Sequence, residues 1–281
     1  MNVTAILTCH NRRDETLRCL ASYFAQIHKA GTRLRAVLVD DGSTDGTAEA
    51  VLRSFPNVEV VTGDGTLYWA AAMALAERIA SRQDPDYLLW LNDDVVLDPK
   101  ALKTLTGTAE AEARPCIAVG ALRDPDAGTL TYSGIRRRGR HPLRVDRVPP
   151  GEQPVAVETF NGNVVLVPRD VRSEIGPLDG AFVHGAADFD FGLRATKAGV
   201  VNLVAPGTVG TCSRNTTARP WHDGSAPRRE RLRLLLGPKG LPPRARGRFL
   251  RRHGGAAWPV FWLVSYVRAA PVILRRPRAG K

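Results

Sequence analysis

Four short apolar runs punctuate the first third of the chain: Thr4–Thr8, Leu34–Val39, Val58–Thr62 and the stretch that begins at Tyr87. A run that is apolar at successive positions predicts a strand buried on both faces, not one that alternates between core and water. Between the runs lie helical patterns. Leu17, Leu20, Phe24 and Ile27 recur at helical spacing behind Asp14, a candidate cap. A helix is expected over roughly Thr47 to Ser54, and an Ala-rich one from about Tyr68 to Ser81, whose small side chains permit close packing on a sheet. Strands joined by helical crossovers run parallel, so the chain is expected to fold as an α/β protein with helices on both faces of the sheet.

The rest of the chain extends this pattern. Pro99 is expected to open a further helix at its first turn, and Ile117–Leu122, Val164–Val167 and Val201–Ala205 read as strands. Asp188–Ala198 reads as a helix, and the turn-rich residues 123–154, with Arg136, Arg137, Arg138 and Arg140, read as an exposed hairpin or loop.

In an open α/β sheet, ligands sit beyond the carboxyl ends of the strands. Acidic clusters follow or flank strands at three places, Asp40/Asp41, Asp93/Asp94 and Asp188/Asp190. Each has a plain reading: a solvated turn for Asn92-Asp93-Asp94, a helix cap for Asp188. Together they predict one acidic cleft, in which Asp93 and Asp94 hold a hard cation on a phosphate and Asp188 serves as a general base. The first strand leads into Cys9-His10-Asn11-Arg12 without a glycine-rich signature, which excludes a dinucleotide fingerprint and a P-loop. A sugar nucleotidyltransferase, with its glycine-rich first loop, is disfavoured for the same reason.

Charge is unevenly distributed. Of 40 Lys and Arg, 15 fall between Arg228 and Lys281, against a single acid, Glu230, which leaves 25 bases and 27 acids in residues 1–227. The folded body is therefore near neutral, unlike a nucleic-acid-binding domain with a basic face, and no nucleic acid partner is expected. The basic tail around Trp258–Leu274 is apolar but broken by Pro259, Arg268 and Pro271. It suits either an interfacial helix on an anionic membrane through residues 239–281 or a helix packed on the domain. The four cysteines show no metal or CxxC spacing and read as free thiols. Met1–Thr4 enters a strand without a secretory pattern, so we expect a cytoplasmic protein, peripheral on the inner membrane face.

TAILTCHNR, VLVDDGSTDGT, GDGTLYWAAAMALA, LLWLNDDV, FNGNVVLVPR and HGAADFDFGLRATKAG occur in that order over roughly residues 1–215. Together they resemble the bacterial glycosyltransferases of family 2, which have the GT-A fold, and the LYWA and NDDV segments resemble a rhamnosyltransferase-like subgroup. The resemblance implies a GT-A catalytic domain over 1–235 and a basic, helical C-terminal extension over 236–281. It implies that Thr8 and His10 line the base pocket, with Arg12 beside them in the donor site. Asp41 contacts the base, Asp93 faces the ribose or sugar, and Asp94 coordinates Mg²⁺ or Mn²⁺. Asp188 is the base for inverting transfer from a UDP- or dTDP-sugar to a polysaccharide or lipid-linked glycan. Asn92 and Ala187 stand where the family has acids, which motivates a rival reading as a non-catalytic binding relative. Cys212 falls near the place of a late metal-ligand histidine and is not assigned as a ligand. His184 is a second-choice site residue, and Tyr68 and Trp69 either stack on a sugar or pack inward.

Overall fold

A computed structural model describes residues 1–139, 144–214, 220–223 and 225–275. Arg140, and the last six residues of the tail, lie outside the described residues. An eight-stranded sheet organises the molecule, in the order Val155–Val157, Val201–Val204, Cys116–Val119, Val164–Pro168, Tyr87–Leu91, Asn2–Cys9, Arg33–Asp40, Val58–Thr62. The four strands from Tyr87–Leu91 to Val58–Thr62 run parallel, as their apolar runs predict, and Cys116–Val119 pairs parallel with Val201–Val204.

Helices cover both faces. On one side lie α1 (Arg13–Phe24), α2 (Thr47–Ser54) and, after α3 (Tyr68–Ala80) on the opposite face, α4 (Ala101–Ala111). The face that carries α3 also receives α5 (Arg169–Ile175) and α6 (Ala187–Ala198). Successive strand residues feed opposite cores: Leu88 and Trp90 pack with α3 and α6, Leu89 and Leu91 with α1 and α4. All four are fully buried, which is why the sequence shows a continuous apolar run rather than alternation.

Several local expectations are corrected. Asp14 lies in the first turn of α1, whose first N–H is taken by Asp45 Oδ2 from the neighbouring loop at 3.0 Å. Asp45 Oδ1 also accepts the Thr47 N–H at 3.1 Å, so one carboxylate closes two helix starts. Pro99 precedes α4 by two residues, where its carbonyl accepts the Ile27 N–H. The span Ile117–Leu122 divides: Cys116–Val119 belongs to the main sheet and Leu122–Arg123 to a separate small one. Residues 123–154 hold short strands, with Gly134–Arg137 and Val145–Val148 forming the expected hairpin, but Ile135 and Val148 are buried against the domain.

The strand Val164–Pro168 enters antiparallel between Tyr87–Leu91 and Cys116–Val119. Its direction matters for the site. Val164 pairs with Leu91, so Gly162 and Asn163 sit beside the carboxyl end of the Tyr87–Leu91 strand, and the Asn92 N–H bonds the Asn163 carbonyl at 3.0 Å.

Beyond Arg228 the chain forms α7 (Arg228–Leu236), α8 (Pro243–His253) and α9 (Trp258–Leu274). The boundary expected at residue 236 is crossed by the main core, which includes Ala245, Phe249 and Leu250 of α8. A polar latch completes that contact. Asp190, fully buried in α6, accepts hydrogen bonds from Arg194, Arg252 and His253, and Asp179 pairs with Arg248 and Arg252. Helix α9 is different: Val260, Leu263, Val267 and Leu274 are about 60% exposed. With the turn before it, α9 forms a continuous helix, Gly255–Leu274, whose length and composition suffice to cross a membrane despite the interruptions seen in the sequence.

Candidate active site

Two loops at the carboxyl end of the sheet are tied together before any ligand is considered. The Ser43 hydroxyl accepts the Asn11 N–H at 2.9 Å, and the Asn11 side-chain oxygen accepts the Thr44 N–H at 2.8 Å. Asp40 takes the Ser43 N–H. Gly42 has φ +73°, and a Cβ there would stand 2.9 Å from the Gly65 nitrogen, so glycine is required for the two turns to meet. Asp41 is buried and spends its carboxylate on backbone: Oδ1 accepts N–H bonds from Gly65 and Leu67, and Oδ2 from Tyr68 at 2.9 Å. These bonds close the N-terminus of α3 and hold Tyr68 at φ 56°, where a bulky side chain is strained.

The loops enclose a cleft of about 370 Å³ lined by Thr8, His10, Arg12, Asp41 and Asp93, together with Cys9, Gly65, Tyr68, Trp69, His184 and Lys239. The five donor-site residues expected from the sequence thus share one cavity, and so do Tyr68, Trp69 and His184. His10 Nδ1 lies 2.7 Å from the Asp41 carbonyl, which can only accept, so Nδ1 carries a proton.

Asp93 and Asp94 meet in the guanidinium of Arg12. Its Nη1 donates to Asp93 Oδ1 at 3.1 Å and to Asp94 Oδ2 at 2.9 Å. Burial pushes the Asp93 carboxyl up to about 7, with Arg12 opposing and Asp94 adding to the rise. The buried part of Arg12 disfavours its charge, but the two carboxylates outweigh that and raise it further. Asp94 Oδ1 also accepts from the Cys212 thiol at 3.3 Å. Burial, then the Asp94 charge, push that thiol far above its ordinary range, so Cys212 meets Asp94 as a protonated donor. Cys212 follows the short strand Gly210–Thr211, which lies beyond the last strand expected from the sequence. The resemblance set Cys212 near the place of a late metal ligand, and the structure brings it onto Asp94.

The donor set fits a hard divalent cation. It offers two carboxylates and no soft anionic ligand, and Mg²⁺ is ordinarily bound by one or two carboxylates plus substrate phosphates and water. Among the described residues, no group of three ligating side chains gathers anywhere. A cation here needs the substrate's oxygens and the withdrawal of Arg12, a long side chain already 39% exposed.

Asp188 is the second residue of α6. Its Oδ2 accepts the Gly162 N–H at 3.0 Å and its Oδ1 the Phe189 N–H at 2.9 Å. Burial nonetheless dominates and pushes its carboxyl up to about 6. A Cβ on Gly162 would meet the Trp69 ring at 2.7 Å and Asp188 Cβ at 3.2 Å, so Asp188, Gly162 and Trp69 are packed together. Trp69 Nε1 donates to Asn92 Oδ1 at 2.9 Å. A chain of contacts thus runs from Asp188 through Trp69 to the Asn92-Asp93-Asp94 turn. Asn92 serves the scaffold here, and Ala187 is fully buried in the core, where a carboxylate would be desolvated. Asp190, grouped with Asp188 in the sequence, lies in the latch to α8 and not in the cleft.

A family model described as "Glycosyl transferase family 2" matches residues 4–162. This chain belongs to glycosyl transferase family 2. The glycosyltransferase is also 26% identical, over 214 residues, to N-acetylglucosaminyl-diphospho-decaprenol L-rhamnosyltransferase of two Mycobacterium tuberculosis strains, covering 66% of this chain and 69% of that relative. The crystal structure of S. aureus TarS 1-349 in complex with UDP-GlcNAc superposes with a TM-score of 0.58 at 15% identity, over 97% of this chain and 78% of that one. S. aureus TarS gives 0.57 at 14%, over 91% of this chain but 44% of TarS, so the transferase spans under half of that protein. These likenesses agree with the sheet and confirm a GT-A fold with a C-terminal helical region.

Proposed function

We propose that this glycosyltransferase moves a sugar, with inversion, from a UDP- or dTDP-sugar to a hydroxyl of a lipid-linked glycan. The observation that carries the reading is the pairing of one cleft, holding Thr8, His10, Arg12, Asp41 and Asp93, with a carboxylate, Asp188, whose affinity for a proton is raised. A general base works best when its pKa approaches the operating pH, and Asp188 is held in place by two backbone N–H groups.

Thr8 and His10 bind the base. Asp41 retains one free acceptor position of the roughly four on a carboxylate, open to a base N–H. Asp93 orients the ribose or sugar. Asp94, with Asp93 beside it, would hold Mg²⁺ or Mn²⁺, which when bound would supply positive charge to the leaving diphosphate. Arg12, released from the carboxylates, is placed to pair with phosphate oxygens. Asp188 takes the proton of the acceptor hydroxyl as it attacks the anomeric carbon.

The acceptor class is supported by the rhamnosyltransferase relative, whose name specifies a sugar linked through diphosphate to a polyprenol. Rhamnose as the transferred sugar is supported by the same relative's name, and dTDP as its carrier is part of the proposal. Peripheral contact with an anionic membrane is supported by the exposed apolar residues of α9 beside the Arg-rich α8. Incubation with a panel of UDP-, dTDP- and GDP-sugars and Mn²⁺ tests the reading. A thermal shift confined to one UDP- or dTDP-sugar is expected, and no shift with any sugar nucleotide would overturn it.

A further inference from the structure

The cleft has a second room that the sequence did not reveal. A groove of about 200 Å³ lies between the loop Phe182–Ala186 and the segment from Pro238 to Phe249. The two cavities share both walls. His184 and Lys239 face the donor cleft, while their chain neighbours Gly185, Pro238 and Gly240 line the groove. The groove thus opens beside the start of α6, where Asp188 stands.

Its lining has two chemistries. Phe182, Leu241 and Phe249 are apolar, and Arg246 sits in the wall, its guanidinium held by the Ser265 hydroxyl of α9 at 2.8 Å. Lys239 stands exposed at the seam and makes no ion pair among the described residues. Together with burial, its charge lowers the proton affinity of His184. His184 has a buried Nδ1 without a hydrogen-bond partner among the described residues. Val183 and Ala186 hold φ 63° and 69° in the wall between the cavities, a strained conformation for residues with side chains. The α9 side is continuous with the groove: the Tyr266 hydroxyl bonds the Leu241 carbonyl at 2.9 Å, and Trp262 Nε1 bonds the Pro243 carbonyl at 3.1 Å.

We infer that this groove is the acceptor's lipid-diphosphate subsite. The inference rests on the lipid-linked acceptor proposed above. Lys239 binds the diphosphate at the seam with Arg246 beyond it, Phe182 and Leu241 receive the first isoprene units, and the chain leaves along α9 towards the bilayer. The acceptor sugar is then presented at the start of α6, where Asp188 stands. Two cations followed by an apolar lining match a polyprenyl diphosphate, and match neither a free glycan, which has no phosphate, nor a lipid headgroup alone.

Two measurements on the full chain test this. Farnesyl diphosphate, carrying the diphosphate and three isoprene units but no sugar, is titrated by calorimetry. It is expected to bind, with about tenfold weaker affinity in Lys239→Ala, as for loss of one charge-assisted hydrogen bond, and with recovery in Lys239→Arg. Absence of binding to the wild type, or equal binding to Lys239→Ala, overturns the subsite. Transfer to undecyl-diphosphate-linked GlcNAc is then compared with transfer to an undecyl GlcNAc glycoside. The ratio of kcat/KM for the two acceptors should fall about tenfold in Lys239→Ala, and an unchanged ratio overturns the inference. If neither acceptor is used by the wild type, the acceptor reading fails, while the farnesyl diphosphate titration still decides the groove.

Discussion

Asp188 has to be ionised to act, yet burial resists its ionisation and holds its carboxyl at about 6. The active form is the unprotonated one, so kcat should rise with pH through about 6, while kcat/KM should also carry the Asp93 ionisation near 7, which a pH–rate profile will show. The Asp188→Asn variant should lose turnover by about a hundredfold or more while keeping donor affinity by calorimetry; undiminished turnover would remove Asp188 from the chemistry. Asp94 carries a separate prediction. In Asp94→Ala, donor binding should no longer respond to Mn²⁺ or to a chelator, whereas the wild type should weaken on chelation. Donor binding that ignores the chelator in the wild type would count against the cation. An indole N–H can only donate, so Asn92 Oδ1 is fixed as its acceptor.

At the scale of elements, α8 and α9 divide labour that the sequence presented as one basic tail. Helix α8 is fastened by Asp190, whose carboxyl burial alone would raise but which His253, Arg252 and Arg194 hold below its ordinary value of 3.8. A lowered folded value means stabilisation that is present above 3.8 and lost as pH falls through the folded value. Removing the carboxylate takes their anion from Arg194 and His253, while Arg252 keeps Asp179, so Asp190→Ala should lower unfolding free energy by about 3 kcal/mol in a urea titration. Helix α9 instead presents Val260, Leu263 and Val267 outward. Replacing Leu263 and Val267 by Glu should abolish sedimentation with anionic vesicles and leave the melting temperature in place; unchanged sedimentation would sink the membrane contact. The strand Val164–Pro168 shows how direction is decided at this scale. Its residues are as apolar as those of a parallel strand, and only its pairing places Gly162 against Asp188.

For the whole molecule, the near-neutral body and basic C-terminal region form one arrangement. The donor cleft opens at the carboxyl end of the sheet, its wall is completed by Lys239, and the helices that follow lead to an exposed apolar face. A donor that binds only the folded state should stabilise it by about 2.7 kcal/mol at a hundred times its Kd. The sugar nucleotide that does so identifies the base and sugar that this cleft selects.

In the sequence by itself, apolar runs were enough to read the four parallel strands and their chain order, and strand ends were enough to gather Thr8, His10, Arg12, Asp41 and Asp93 at one cavity. These are local matters: apolar runs set burial on both faces, and a strand's carboxyl end is where a loop is free to carry Asp or His. Tertiary structure alone decided which acids belong together. Asp188 and Asp190 are two residues apart, but helical geometry turns Asp188 to Gly162 and Asp190 to α8. It also decided that Arg12 bridges Asp93 and Asp94, that Cys212 meets Asp94, and that Lys239 enters the cleft. Each of these contacts joins segments distant in the chain, and no local pattern encodes which segments the packing of helices on a sheet will bring together.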